Sequence, residues 1–298
     1  MKQKNFRPKR DNAPRGDRKP AHKSAPRERD HERDDEKKSF KPRHTTVPRE
    51  ARLSGPVLYG FHAVRAAVMN PNRRILRILG TDSALDEFKA TMGAVAEAGL
   101  KRPNLETFDK VAFDRMMPQG AVHQGIAALV ESLPVRDASD LLEDMDIHER
   151  SVLLILDQVT DPHNIGAIMR SAAAFGADGI IMQDRHAPEM AGVLAKVASG
   201  AADVIPVALE TNLSRCIEML QENGFFVIGL DERGEDIGKL PYYKKLALVL
   251  GAEGEGLRRL VAEHCDTLAS LPTRGQILSL NVSNAAAVAL YATLKASA

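Results

Sequence analysis

Six short apolar runs mark the second half of the chain: VLLIL (152–156), GIIM (179–182), VIPVAL (204–209), FFVIGL (225–230), LALVL (246–250) and TLASL (267–271). Their hydrophobicity is continuous rather than alternating, the pattern of strands buried on both faces and so of a parallel sheet covered by helices. The stretches between them predict helices over 164–175, 189–199, 212–223 and 256–264, with a last apolar helix over 283–296. Strands alternating with helices predict an α/β fold.

A smaller unit precedes this one. GPVLYGFHAVRAAVMN reads as a turn leading into an amphipathic helix with Val64, Ala67 and Val68 on one face. RILRILG and HQGIAALVES read as strands, with a helix over 84–98 between them. Residues 133–151 (LPVRDASDLLEDMDIHERS) mix proline and acidic residues and predict a linker with one short helix. The first fifty residues carry six prolines, only seven hydrophobic residues and no periodicity. Such a segment cannot bury enough apolar surface to offset its ordering entropy, so disorder is expected. The predicted organisation is a disordered basic arm over 1–52, a small α/β domain over 53–133, a linker over 134–150 and a larger α/β domain over 151–298.

Charge sharpens this division. The 298 residues hold 41 Lys/Arg against 40 Asp/Glu, a net of +1. Residues 1–50 alone hold 17 against 9, which leaves 24 against 31 for the remainder. A basic arm is thus joined to a mildly acidic body. The arm is either a solubilising tail or a nonspecific phosphate-contacting segment for RNA or DNA. Glu28, Asp30, Glu32, Asp34, Asp35 and Glu36 dilute it as a polycation. No apolar run approaches the roughly 18–20 residues of a membrane helix, and no apolar segment follows the basic N-terminus as in a secretory signal. Cys216 and Cys265 stand 49 residues apart without a CxxC or Cys/His cluster. That spacing points to core thiols in a reducing cytoplasm, with neither a disulfide framework nor a metal site expected.

In an open parallel sheet, ligands sit beyond the carboxyl ends of the strands, and three such ends are unusual here. In LDQVTDPHNIGAIMRSAAAFG, Asp157 closes a strand, Asn164 can cap the following helix, and Arg170 is the only formal charge between Pro162 and Ala177. LALVLGAEGEGLRRL is a strand, a glycine turn and a helix. Gly251, Gly254 and Gly256 permit close approach, while Glu253 and Glu255 repel phosphate and favour an uncharged or cationic ligand. A plain tight turn explains that loop equally well. In LPTRGQILSLNVSNAAAVALYA, Ser279, Asn281, Ser283 and Asn284 lie in apolar surroundings whose only charge is Arg274. Self-capping accounts for some of these polar groups, but four exceed what one helix start requires. There is no GxGxxG with a downstream acid, which excludes an ordinary nicotinamide or flavin oxidoreductase, and no GxxxxGK[ST].

In order and spacing, these segments resemble the three signature motifs of the SpoU/TrmH family, the S-adenosylmethionine-dependent RNA ribose 2′-O-methyltransferases of the SPOUT class. The upstream unit, with YGFHAV and HQGIAALV, is similar to that family's L30e-like substrate-binding domain, so the resemblance spans nearly all of 55–298. Thr273 departs from the pattern, where a hydrophobic residue is expected.

The resemblance implies a deep C-terminal trefoil knot, S-adenosylmethionine as cofactor, and a homodimer with a composite site. The implied substrate is a guanosine ribose in 23S rRNA, with tRNA as an alternative and a non-catalytic RNA-binding assembly factor as a second. Asn164, Arg170, Glu253, Ser279, Asn281 and Ser283 match its motif positions. Gly229, Gly251, Leu271, Leu280 and Asn281 would hold the cofactor. The family's arginine is proposed as a general base. Arginine stays protonated in proteins, however, so Arg170 is better read as a clamp on the neighbouring phosphate.

Overall fold

The computed structural model describes residues 53–145, 150–276 and 279–295. The predicted arm over 1–52 lies outside these residues, as do 146–149 of the predicted linker.

The first part is a four-stranded mixed sheet. Its strands are β1 (Val57–Tyr59), β2 (Ile75–Gly80), β3 (Leu105–Thr107) and β4 (Ile126–Val130), in the order β1-β4-β2-β3. β4 runs antiparallel to β1 and β2, and β2 runs parallel to β3. The helices are α1 (Phe61–Met69), α2 (Asp82–Glu97) and α3 (Lys110–Met116). Val64, Ala67 and Val68 of α1 are buried, as their spacing predicts. Two three-residue strands and α3 are additions to the sequence reading. Three residues are too few to show a period, and α3 is announced only by Asp109, whose side chain accepts from the Ala112 N–H at 2.9 Å.

The second part is a six-stranded sheet in which every neighbouring pair is parallel. Its strands are β5 (Ser151–Asp157), β6 (Gly179–Gln183), β7 (Val207–Glu210), β8 (Phe226–Asp236), β9 (Lys245–Gly251) and β10 (Thr267–Ser270). The helices are α4 (Ala138–Asp144), α5 (Pro162–Ala174), α6 (Gly192–Ala198), α7 (Leu213–Glu222), α8 (Arg259–His264) and α9 (Val282–Lys295). All seven residues of β5 are buried, and alternate residues divide between two apolar layers. Val152, Leu154 and Leu156 join one layer with Ile165, Ile168 and Ala286, while Leu153 and Ile155 join another with Ile217 and Leu220. Each such leucine stabilises the fold by about 1.5–3 kcal/mol over an exposed one. No helix among the described residues is long and apolar enough to cross a membrane.

The strand order is β10-β8-β9-β5-β6-β7. The chain winds outward one way from β5 through β6 to β7, then crosses to the other side of β5. The reversal lies between β5 and β9, where Asp157 and Gly251 are register partners at the strand ends. A crevice forms at such a reversal.

Two apolar runs differ from their predicted bounds by more than one residue at an end. VIPVAL is strand only from Val207, because a 3-10 turn (Ala201–Asp203) leads into it and Pro206 has no N–H to give a ladder. FFVIGL continues as strand through the polar DERGED to Asp236. There the pairing with β10 jumps from Leu268↔Gly229 to Ala269↔Glu235, leaving 230–234 bulged out at the strand's end. Over its described residues 134–145 the predicted linker is docked on the larger sheet. α4 buries Ala138 and Leu141, Leu209 N–H donates to Arg136 O at 2.8 Å, and Ala138 N–H donates to Glu210 Oε1 at 2.8 Å.

Candidate functional site

Three loops meet beyond the carboxyl ends of β5, β9 and β10. Asp157, the last residue of β5, is fully buried and receives the Arg258 backbone N–H at 2.9 Å and its Nε at 2.6 Å. One carboxylate thereby ties the start of α8, and the glycine loop before it, to the neighbouring strand. Arg258 was not singled out by sequence, since an arginine ahead of a helix carries no motif.

Gly251 lets that loop close. A Cβ there would collide with the backbone of Gly256 and Leu257. With no side chain in the way, the Gly256 N–H reaches Ala252 O at 3.0 Å. Gly254 and Gly256 take the left-handed conformations the turn needs, at φ +85° and +68°. The loop carries Glu253 outward to an exposed position.

Glu253 is where the three predicted motifs converge. Its Oε1 accepts from Asn164 Nδ2 at 3.1 Å and from Asn281 Nδ2. Asn281 Nδ2 also donates to Asn164 Oδ1 at 2.9 Å. Asn281 Oδ1 accepts from the Ser283 N–H at 2.9 Å and from its Oγ at 2.5 Å, so the same side chain caps α9 and faces the cluster. The self-capping reading of the third motif holds at this residue, whose amide also joins the cluster.

Asn164 is not a helix cap, contrary to the sequence expectation. Pro162 has its φ preset for the first helical position, so α5 starts earlier and Asp161 becomes the cap, accepting from the His163 N–H at 3.1 Å. The Asn164 amide is thereby left for the cluster.

Beside the cluster lies a cavity of about 1270 Å³, walled by Gly251, Glu253, Leu271, Ser279, Leu280 and Asn281 among others. Every sequence-predicted cofactor residue lines it except Gly229, which sits behind the wall. A Cβ at Gly229 would lie 2.8 Å from Leu257 and Leu268 side-chain carbons and 3.0 Å from Cys265 Sγ. The bulge of β8 adds Asp231, Glu232 and Arg233 to the lining, which the sequence reading missed. Arg233 holds the Asp231 carboxyl below the ordinary carboxylate range through paired bonds of 2.8 Å. Glycine between charged residues in DERGED was the available signal. Asp231, Glu232, Glu253, Glu255 and Glu263 outnumber Arg233 and Arg259 in the wall, so the cavity suits a cationic or neutral ligand.

Arg170 is not brought to this cavity. It is exposed on α5 and has no hydrogen-bond or ion-pair partner among the described residues. Six residues beyond Asn164, it stands about 9 Å further along the helix and on a different face. The two cysteines take no part in the cluster, and burial pushes each thiol up to about 12, leaving both protonated at neutral pH.

Comparisons with known proteins give a consistent picture. Residues 151–291 match the SpoU rRNA Methylase family, and residues 57–135 match the RNA 2'-O ribose methyltransferase substrate binding family. A 23S rRNA (guanosine-2'-O-)-methyltransferase RlmB from Haemophilus influenzae is 38% identical over 240 residues, 78% of this chain and 95% of that protein. The RlmB protein of Salmonella typhimurium is 36% identical over 245 residues, covering 80% and 98%. Among solved structures, the SpoU methyltransferase AviRb from Streptomyces viridochromogenes in complex with AdoMet superposes with a TM-score of 0.65 at 23% identity, over 80% of this chain and 89% of that one. The AdoMet-bound rRNA methyltransferase from Sinorhizobium meliloti gives 0.62 at 23% identity, over 80% and 87%.

Proposed function

The chain belongs to the SpoU rRNA methylase family, and from that premise we propose that it transfers a methyl group from S-adenosylmethionine to the ribose 2′-hydroxyl of a guanosine in 23S rRNA. The observation that carries this reading is the meeting of Asn164, Glu253 and Asn281, from three distant segments, beside one acidic-walled cavity.

The residues present fit the cofactor. The cavity is roomy, its carboxylates favour a cation, and Gly251, Leu271 and Leu280 offer backbone atoms to its adenosine and methionine parts. When bound, S-adenosylmethionine supplies an electrophilic methyl carbon on a positively charged sulfur. The tasks left to the protein are alignment and electrostatics. Glu253 holds the Asn164 and Asn281 amides in fixed orientation, and Asn281 and Ser279 orient the 2′-hydroxyl or the cofactor. Arg170 clamps the adjacent phosphate and stabilises the developing alkoxide while staying protonated, and phosphate or water takes the proton.

Arg170 stands apart from its own cavity, so in this reading it serves the site of a second copy in a homodimer. An exposed strip suits that contact: Val288 and Tyr291 of α9, with Phe175 at the end of α5 lying 6.2 Å from the Tyr291 ring. The C-terminal segment forms the family's trefoil knot in this reading. β10 is at the sheet edge, yet α9 packs against α5 and β9 nearer the sheet's middle, which supports this reading. Residues 53–133 are the RNA-binding domain and 151–298 the methyltransferase domain, joined by 134–150. The arm over 1–52 adds nonspecific RNA contacts, and the enzyme works in the cytoplasm where ribosomal RNA is made.

The test is transfer of tritiated methyl from S-adenosylmethionine to purified 23S rRNA and to bulk tRNA, with ribose methylation mapped. Label on a guanosine 2′-oxygen of 23S rRNA is the expected result. Label on tRNA alone would overturn the substrate, and none on either would overturn the activity.

A further inference from the structure

Two polar contacts join the four-stranded unit to the six-stranded one, beside the apolar packing of α1 and β1 against α6. The first is buried. Arg73 Nε meets Asp203 Oδ1 at 2.7 Å with 1% and 2% of the two side chains exposed. Asn70 Nδ2 donates to the same oxygen at 3.2 Å, and Arg73 Nη1 donates to Glu131 O at 3.2 Å. Arg73 and Asn70 belong to the turn after α1, and Asp203 to the 3-10 turn after α6. Gly200, just before that turn, lets α1 come close. A Cβ there would lie 2.9 Å from Ala66 Cβ and 3.0 Å from His62 O.

The second contact lies at the motifs YGFHAV and HQGIAALV, to which the chemistry above gives no role. Lys196 of α6 reaches across and donates to Gln124 Oε1 at 2.5 Å, with its amine packed over Gly60. Gln124 holds a left-handed backbone at φ +56°, a strained conformation for a residue with a side chain. Among the described residues, no carboxylate lies within ion-pair distance of Lys196. Burial lowers the affinity of its amine for a proton. Neither contact is an economical way to hold two surfaces together. The buried pair loses hydration and leaves Arg73 Nη2 without a hydrogen-bond partner. An apolar pair of similar volume would bind the sheets at least as well. What directional bonds add is a single register.

We propose that Arg73, Asp203 and Lys196 are positioning residues that hold the RNA-binding sheet at one set distance from the methyl-transfer site. This rests on the functional reading above, in which the four-stranded unit holds RNA. RNA bound there is then presented to the cluster without a search, and a loosened seam still binds RNA but seldom places the ribose.

The experiment pairs spin labels at exposed Val111 of α3 and Leu260 of α8 in the full chain, with Cys216 and Cys265 replaced by alanine. Distance distributions are read alongside methyl-transfer kinetics in unlabelled protein. The unmodified seam is expected to give one narrow distance. Lys196→Met and the double variant Arg73→Met/Asp203→Leu should broaden it and lower kcat by about tenfold to a hundredfold. KM for RNA and affinity for S-adenosylmethionine should hold, and Lys196→Arg should recover most of kcat. The double variant should melt no lower than the parent, which separates positioning from stabilisation.

A broad distribution in the parent, or variants as narrow and as fast as the parent, would overturn the proposal. If the parent methylates no RNA, the functional reading fails, while the distances still decide whether the seam is rigid.

Discussion

At the ends of β5 and β9, Asn164, Glu253 and Asn281 meet near solvent, whereas in the seam Arg73 and Asp203 meet with almost nothing exposed. Both groups join segments far apart in sequence, Asn164 with Asn281 and Arg73 with Asp203. Their energetics are opposite. Water can replace a partner lost from the exposed cluster, so its bonds cost and contribute little to folding. A partner lost from the seam leaves a charge in an apolar interior. Polar groups that meet in the open are therefore the ones available to a ligand, and those that meet in the dark set geometry.

The largest effect should come from breaking the buried side of this contrast. Asp203→Ala strands the Arg73 guanidinium and should cost about 3–5 kcal/mol. The check is a lower midpoint of guanidinium unfolding with an unchanged slope. A loss within about 0.5 kcal/mol, as at an ordinary surface position, would mean that water already reaches the pair. Gly251→Ala comes next, because the new methyl group meets backbone that cannot move aside cheaply. It should cost about 1–3 kcal/mol of stability. By calorimetry, S-adenosylmethionine affinity should fall by about tenfold or more, which corresponds to about 1.4 kcal/mol. Unchanged affinity would show that the glycine loop does not shape the cofactor site.

The exposed side should respond the other way. Glu253→Ala should leave stability within about 0.5 kcal/mol of the parent. Its kcat should nevertheless fall by about tenfold to a hundredfold, because the two amides lose the group that orients them. Near-normal turnover would reduce the cluster to a surface hydrogen-bond network. Asn281→Ala should cost somewhat more stability, about 1 kcal/mol, since that side chain also caps α9.

The same contrast explains what could be read from the sequence. Both apolar layers were legible because strands such as β5 are buried throughout and leave unbroken runs. Glu253, Asn281 and Asn164 were singled out because polar residues at strand ends in apolar surroundings are conspicuous, and the structure brings their side chains together. The Asn164 cap was misread because a proline at the next possible start outranked it. The seam was invisible. Arg73 sits among other charged and polar residues in NPNRR, and Asp203 ends an alanine-rich turn, so neither has a periodicity or motif that announces burial. The polar half of β8 was missed for a related reason. Its pairing with β10 resumes only after a bulge, and no local pattern encodes a register jump.

The β8 bulge lies between the two extremes, and its effect should be the smallest. Asp231 keeps 10% of its side chain exposed while Arg233 keeps 70%, and the arginine holds the carboxyl below its ordinary range. A carboxyl with a depressed folded-state pKa adds stability above its unfolded value, and that contribution disappears as pH falls through the folded value. The gap in stability between the parent and Arg233→Met should therefore be small and constant near neutrality. It should begin to close at about pH 4, where the unfolded carboxyl titrates, and vanish below. Because the arginine is solvated, the gap should also shrink in high salt. Unfolding curves at several pH values check this, and a gap that widens toward low pH would mean that Arg233 acts through packing on the cavity wall instead of through its charge.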